Sequence, residues 1–353
     1  MSFINIDITK RYPDFVLKCS LDFNNKINGI FGPSGSGKST ILNCIAGFIS
    51  PDVGNIKIND KILYKISGSN LLRNDNVSLN AEHRNIGYVT QKSNLFPSMN
   101  VDENIRYGYK DDNSDNSINV EEIIDIMNVK NLIHRYPDEL SGGEAQKVSI
   151  ARALARFPSV LLMDEPVSEL DLKSKLMVLG YLKKINETFS IPIIYVSHDI
   201  SEIASICDKV AIIENGLIKE VKNSQLLTYI SSNDSEFENI YVVNESISGN
   251  SIFINNIKIN TLNKLESKSA VILIPSNSVI LSKYELNNID ADNIFLGKIE
   301  NIKSMGSKVR VFCNIGFDIV SDISEYSFKK MDLNINDEIY VIFKSENVKI
   351  SYT

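Results

Sequence analysis

Gly32-Pro33-Ser34-Gly35-Ser36-Gly37-Lys38-Ser39-Thr40 follows the pattern G-x-x-x-x-G-K-S, a loop that cradles phosphate groups. The apolar run Ile27-Asn28-Gly29-Ile30-Phe31 leads into it as a buried strand does. Behind it, Ile41, Leu42, Ile45 and Ala46 recur at helical spacing. Glycines let successive backbone N–H groups converge into an anion-binding nest. A helix starting near Lys38 adds the positive end of its dipole. Lys38 can then reach the β- and γ-phosphates of a nucleoside triphosphate, and the Ser39 hydroxyl can ligate Mg²⁺. The loop identifies a ligand class; the reaction has to come from elsewhere in the chain.

Upstream of the loop, Val16-Leu17-Lys18-Cys19-Ser20-Leu21 reads as a strand, and Tyr12 precedes it in Arg11-Tyr12-Pro13-Asp14-Phe15. Tyr12 is a candidate for stacking on a purine base, Phe15 is its competitor, and either ring suits ordinary packing equally well. Downstream, Pro51-Asp52-Val53-Gly54 reads as a turn and Asn55-Ile56-Lys57-Ile58-Asn59 as a strand. Residues 65–85 read as irregular, and Ile86-Gly87-Tyr88-Val89-Thr90-Gln91 as a strand ending in glutamine. A polar loop over 111–117 precedes a helix capped by Asn119, with Val120, Ile123, Ile124 and Met127 apolar.

Two further stretches carry chemistry. In Leu140-Ser141-Gly142-Gly143-Glu144-Ala145-Gln146, Ser141 and Glu144 have capping-box spacing, so a helix opens there with a second anion-binding N-terminus. Val160-Leu161-Leu162-Met163-Asp164-Glu165 is a continuous apolar run ending in two acids. Such a run suits a strand buried on both faces of a parallel sheet. Acids at its carboxyl end lie where open α/β sheets bind ligands. Asp164 is a candidate for holding Mg²⁺ and Glu165 for polarising a water. Asp171 caps a helix carrying Leu172, Leu176, Leu179, Leu182, Ile185 and Phe189, and His198 follows the strand Ile193-Ile194-Tyr195-Val196. Asn215-Gly216 is the turn of a final hairpin.

The bulk numbers narrow the class. The chain has 353 residues, 43% hydrophobic and 23% charged, as an ordinary soluble protein of two or three domains does. A net charge of −7 argues against nucleic acid as a partner. Cys19, Cys44, Cys207 and Cys313 are scattered, which suggests small core residues rather than a zinc site or a disulfide framework. The three histidines, His83, His134 and His198, are too far apart for a metal cluster. Met1–Asp7 alternates like a strand and is no signal peptide, and no apolar run reaches the about 18–20 residues of a membrane span. From Ile252 on, short β-branched runs separated by turns read as a small β-barrel or sandwich.

Gly32–Thr40, Gln91, Leu140–Gln146, Val160–Glu165, Ser168-Glu169-Leu170-Asp171 and His198 stand in one order that resembles the ATPase subunit of ABC transporters. The L-S-G-G-x-x-Q stretch is the specific part. The resemblance implies a P-loop α/β nucleotide-binding domain over 1–230. That domain has antiparallel β additions and a helical subdomain at about 92–157. A connecting β-rich segment over 231–289 and a small all-β, OB-like domain over 290–353 follow. It implies a homodimer in which each ATP lies between the phosphate loop of one copy and Ser141-Gly142-Gly143 of the other. Lys38 and Ser39 then hold phosphate and Mg²⁺, Gln91 touches metal and attacking water, Glu165 is the general base, His198 meets the γ-phosphate, and Asp171 reaches across the dimer. Transmembrane permease subunits, and indirectly a periplasmic or lipid-anchored solute-binding protein, are the implied partners, at the cytoplasmic face of the membrane. The stretch Asn94–Val101 is similar to that of importers, where it helps form the groove for a permease helix.

His83–Gln91, Asn104-Ile105-Arg106-Tyr107-Gly108 and Ile191–His198 are similar to the ATPases of molybdate importers. The C-terminal part resembles their mop/TOBE-like oxyanion-binding domain, keeping Asn293 and Gly297 of the pattern S-x-R-N-x-x-x-G. Asp290 and Asp292 stand where that pattern has serine and arginine, which implies weak oxyanion binding or none. Glu169 replaces a small apolar residue, and Lys147 a commoner arginine. ATPases of importers for sulfate, iron, sugar or polyamine are the alternative resemblance.

Overall fold

Alternation of apolar residues sets the first two strands of the chain, seen in a computed structural model that describes residues 3–66, 76–109, 119–222, 237–243, 247–267, 270–286 and 288–352. In β1 (Ile4–Tyr12) Ile4, Ile6 and Ile8 are buried, and in β2 (Phe15–Phe23) Leu17, Cys19, Leu21 and Phe23 are. This period of two gives each strand one core face. β3 (Ile27–Phe31) is buried throughout and feeds the glycine loop, after which α1 (Lys38–Ala46) begins. β4 (Val53–Ile58) already includes Val53 and Gly54, so the expected turn is shorter than the sequence suggests. Gly54 has φ +130°, and a Cβ there would lie 2.1 Å from the Asp7 carbonyl oxygen across the ladder. β5 (Lys61–Ile66) and β6 (Val77–Ser78) order part of the stretch expected to be irregular. β5 is legible only once Leu63 and Tyr64 are seen to be buried.

β7 (Ile86–Val89) is followed by α2 (Val101–Arg106), a helix not expected from the sequence. It is a short turn opened by Asn100 and Glu103 in a reciprocal capping box. α3 (Val120–Ile126) is capped by Asn119 as expected, whereas the polar loop over 111–117 lies outside the described residues. α4 (Gly142–Leu154) has the expected Ser141–Glu144 capping box. β8 (Val160–Asp164), α5 (Leu172–Phe189) with Asp171 as its cap, and β9 (Ile193–Ser197) follow. α6 (Ile200–Ile206) is a short helix without a sequence signal of its own; β10 (Lys209–Glu214) and β11 (Leu217–Lys222) form the hairpin. Asn215 and Gly216 both have positive φ, 50° and 76°, which the tight hairpin turn demands.

Eleven strands join in the order β6-β5-β4-β1-β2-β11-β10-β3-β9-β8-β7. Strands β10, β3, β9, β8 and β7 run parallel, and the antiparallel pairs lie toward the β6 end. β3 and β9 are buried at every residue, as parallel strands covered on both faces must be. The register places Asp164 opposite Val196 and Val196 opposite Ile30. The chain therefore leaves β7, β8, β9 and β3 along one edge, at Thr90, Glu165, His198 and Gly32.

Residues 1–199 and 207–222 form one compact unit, and residues 200–206 with 223–353 form a second. In the second unit β12 (Glu238–Val243), β13 (Ile247–Ile254), β14 (Ile257–Ser267), β15 (Ala270–Pro275) and β16 (Ile280–Ser282) come first. β17 (Asn293–Met305), β18 (Lys308–Asn314), β19 (Asp318–Ser324), α7 (Glu325–Met331), β20 (Glu338–Phe343) and β21 (Lys349–Tyr352) complete it. They make a five-stranded sheet β16-β20-β17-β18-β19, a three-stranded sheet β12-β15-β21 and the hairpin β13-β14. Ile252, Ile259 and Ile272 share one apolar core with Ile299, Val311 and Val341. Strands on both sides of position 290 thus bury against each other. All four cysteines are buried and unbridged, and burial pushes the Cys44 thiol up to about 11. No described helix is long and apolar enough to cross a membrane.

Among the described residues of the second unit, one ion pair is buried. Arg310 donates from Nε and Nη2 to the two carboxylate oxygens of Asp322 at 2.6 and 2.7 Å, with side chains 1% and 5% exposed. Ser276 donates to the same carboxylate at 2.9 Å, and Phe237 stacks under the guanidinium. Removing one partner strands the other charge in the core. Asp322→Ala should therefore cost about 3–5 kcal/mol in urea denaturation, while a surface change such as Asp318→Ala should cost little.

Candidate functional site

The glycine loop closes around its own lysine. Lys38 Nζ donates to the carbonyls of Gly32 at 2.8 Å and Pro33 at 3.0 Å, and the side chain is 5% exposed. Burial pulls the Lys38 ammonium below the usual lysine range, against the opposing pull of Glu165 and Asp164. Gly37 caps α1 in the left-handed region and has no side chain to accept from it, so the first amides of α1 have no side-chain cap. The Ser36 hydroxyl is buried with no hydrogen-bond partner among the described residues. An unspent donor and open helix amides in one concave loop suit an anionic ligand.

A cleft of about 550 Å³ opens over this loop, lined by Tyr12, Phe15, Ser34, Gly35, Gly37, Lys38, Ser39, Thr40, Gln91, Asp164 and Glu165. Four separate parts of the chain meet here: parallel register brings Gln91, Asp164 and Glu165 to the loop, and the antiparallel β1–β2 hairpin supplies Tyr12 and Phe15. Burial pushes the Asp164 carboxyl above the usual aspartate range, while a hydrogen bond from Ser39 and the charge of Lys38 work the other way. Tyr88, one strand over, lies 3.5 Å from Asp164 Oδ2 and 3.2 Å from Asn43 Oδ1. Ser39 hydroxyl, Asp164 carboxylate and Gln91 amide oxygen form a hard oxygen donor set of the kind that suits Mg²⁺ alongside substrate phosphates. The residues fit that ion. No cluster of His, Cys, Asp or Glu fit for a metal occurs among the described residues.

Glu165 occupies a strained position, with φ +49° just beyond β8. Its Oε1 is 3.7 Å from Lys38 Nζ and its Oε2 is 3.0 Å from His198 Nδ1. The histidine thus meets the carboxylate directly. Sequence reasoning missed that contact, along with Tyr88 and Asn43. Nothing in the order of motifs shows which strand ends are neighbours.

Ser141, Gly142, Gly143 and Asp171 do not line the cleft. Ser141 caps α4, and a Cβ on Gly143 would come within 2.7 Å of Ser174 Oγ, so this turn packs against the start of α5. Asp171 accepts from Ser174 N at 3.1 Å, and hydrogen bonding from the Ser174 hydroxyl first and this backbone N–H second holds its carboxyl below the usual range. Lys147 is buried, with its ammonium 5.9 Å from the Tyr181 ring centroid, so that departure serves packing.

In the second unit, Asp290 accepts from Lys344 Nζ at 2.7 Å. Asp292 Oδ2 accepts from Ser345 Oγ at 2.5 Å and Ser345 N at 3.2 Å, which holds its carboxyl below the usual range. Asn293 is spent on Asn260, accepting from its N at 2.7 Å and donating to its O at 3.0 Å.

Together these features define a P-loop nucleotide-binding protein with a separate β-rich unit. Residues 18–168 match the ABC transporter family and residues 289–350 match the TOBE domain. The "Molybdenum import ATP-binding protein ModC" of Mannheimia succiniciproducens is 33% identical over 98% of this chain and 99% of its own length. The protein of the same name from Haemophilus influenzae is 31% identical over 98% and 99%. The chain belongs to the ABC transporter family, as an ATP-binding member. Two solved structures share the fold. CbiO1 of Clostridium perfringens, described as part of the ABC transporter complex cbiONQ, has TM-score 0.53 and 22% identity over 64% of this chain and 91% of its own. An ATP-binding cassette of an ABC transporter in its ADP conformation has TM-score 0.54 and 23% identity over 65% and 95%.

Tyr12 and Phe15 both line the cleft, but their rings differ in setting. Tyr12 is 38% exposed, whereas the Phe15 ring packs where Gly37 and Gly216 leave room. Tyr12→Ala should weaken ATP binding about tenfold in a fluorescent-nucleotide titration with little change in Tm, since stacking on a base is worth roughly 1–3 kcal/mol. Phe15→Ala should lower Tm.

Proposed function

We propose that this chain hydrolyses ATP to energise import of an oxyanion, molybdate, through a partner permease at the cytoplasmic face of the membrane. The observation that carries the solute is the likeness, along nearly the whole chain, to proteins named for molybdenum import. The observation that supports hydrolysis is the chain of contacts from Lys38 through Glu165 to His198. Two copies act together, with Ser141, Gly142 and Gly143 of one facing the phosphate loop of the other and Asp171 reaching across. That reading suits an α4 N-terminus which no single chain brings to its own cleft.

The chemistry assigned to each residue follows from position and charge. Tyr12 stacks on the base. The loop amides and Lys38 take the phosphate oxygens, and Lys38 offsets charge that grows there as the terminal phosphate leaves. Mg²⁺, when bound, neutralises phosphate charge; Ser39, Asp164 and Gln91 are the residues that would hold it. Glu165 accepts a proton from the attacking water, and His198 keeps its carboxylate oriented. Positioning of this kind accounts for most of the acceleration in phosphoryl transfer. Glu165→Gln should lower ATP turnover by about 100-fold or more while leaving ATP affinity intact, measured by phosphate release and nucleotide titration on the same protein. Turnover at the unchanged rate would exclude Glu165 as the base.

In the second unit, Asp290 and Asp292 take the donors of Lys344 and Ser345 that an oxyanion would need. Residues 290–353 therefore keep an oxyanion-domain fold that binds molybdate weakly or not at all. The test of solute and regulation is one experiment on the chain co-purified with its permease in vesicles. A molybdate-loaded binding protein should stimulate ATPase activity, and a sulfate- or sugar-loaded one should not. Free molybdate on the ATPase side should leave the rate unchanged. Stimulation by another solute alone would move the assignment to that importer class.

A further inference from the structure

Gln91 lies two residues past β7 and lines the cleft beside Ser39, Asp164 and Glu165. Its side-chain Nε2 donates to Glu169 Oε1 at 3.1 Å. A carboxylate only accepts, so this bond decides which end of the Gln91 amide is nitrogen. The amide oxygen sits across the same planar group and is not spent on Glu169.

Glu169 is itself held in place by a short turn. Ser168 donates to the Glu165 carbonyl from Oγ at 3.0 Å and from N at 3.3 Å. Leu170 N donates to the Val167 carbonyl at 3.2 Å, and Asp171 then caps α5. The carboxylate that grips Gln91 is therefore four residues from Glu165, on a turn anchored to the Glu165 carbonyl. Both Gln91 and Glu169 are exposed, where a hydrogen bond adds little to stability. The energetic weight of the bond falls on orientation.

We propose that Glu169 is a positioning residue for ATP turnover: it orients the Gln91 amide so that an oxygen, not an NH₂ group, is left for the cation and the attacking water. This inference rests on the ATPase reading above. An oxygen can ligate a hard cation or accept from water; an NH₂ group can do neither. Partners that orient a ligating group typically change affinity or activity by about 10–100-fold when removed.

The test is steady-state ATP hydrolysis by the full-length chain at varied Mg²⁺, with Tm recorded for each variant. Glu169→Ala should lower kcat about tenfold and raise the Mg²⁺ concentration needed for half-maximal rate. KM for ATP and Tm should not move. Glu169→Gln, which can offer Gln91 either an oxygen or an NH₂ group, should fall between wild type and Glu169→Ala. In a Gln91→Ala background, Glu169→Ala should have no further effect on kcat. An equal loss in both backgrounds would show that Glu169 acts independently of Gln91 and would overturn the proposal, as would an unchanged kcat in Glu169→Ala. A wild-type chain without ATP turnover would instead overturn the ATPase reading on which both rest.

Discussion

Parallel pairing of β3, β9, β8 and β7 in one register is the constraint on which the site depends. It sets Ile30, Val196 and Asp164 in a row and so delivers Gly32, His198, Glu165 and Gln91 to one edge of the sheet. These residues are up to 166 positions apart in sequence (198 less 32). The pairing holds because the central strands are apolar on both faces and have nowhere else to bury them. A slip of one residue in β8 would replace Asp164 by Met163 or Glu165 at the cleft and turn an apolar side chain the wrong way.

Charge at that edge is arranged so that no group stands alone. Lys38 is nearly dehydrated, yet it has two loop carbonyls and Glu165 within reach. Asp164 is held by Ser39 and Lys38 against the cost of burial. Glu165 bridges the lysine and His198 from a strained backbone position. Strain of this sort survives where the surroundings fix it, and here the fixing comes from the β8–β9 pairing and the turn through Ser168. Turnover chemistry needs such a pre-set arrangement, because reorganising it during the reaction would add to the barrier.

The second unit shows a different use of acids. Asp290 and Asp292 look like intrusions in an oxyanion-binding pattern, but each carboxylate is matched to a donor near the start of the last turn, Lys344 or Ser345. Asn293 is bound to the backbone of Asn260. These bonds tie the start of β17 and the residues before it to β14 and to the segment after β20. The buried Arg310–Asp322 pair, with Ser276 and Phe237 around it, ties β18 and β19 to the segments before β16.

The amino-acid sequence by itself determined the elements whose signals are local. The Gly37-Lys38 start of α1, the Ser141–Glu144 and Asn119 caps, the Asn215-Gly216 hairpin and the buried run ending in Asp164 were all legible. Each depends on residues a few positions apart. It also marked Lys38, Ser39, Gln91, Asp164, Glu165 and His198 as a set, through their order. β5, α2 and α6 were not legible, being short and stabilised mainly by what they pack on. Only the tertiary structure decided that His198 meets Glu165, that Tyr88 stands beside Asp164, that Glu169 grips Gln91, and that Ser141 and Asp171 lie away from the cleft of their own chain. Those are facts of strand order and register, set by long-range burial that no local pattern encodes.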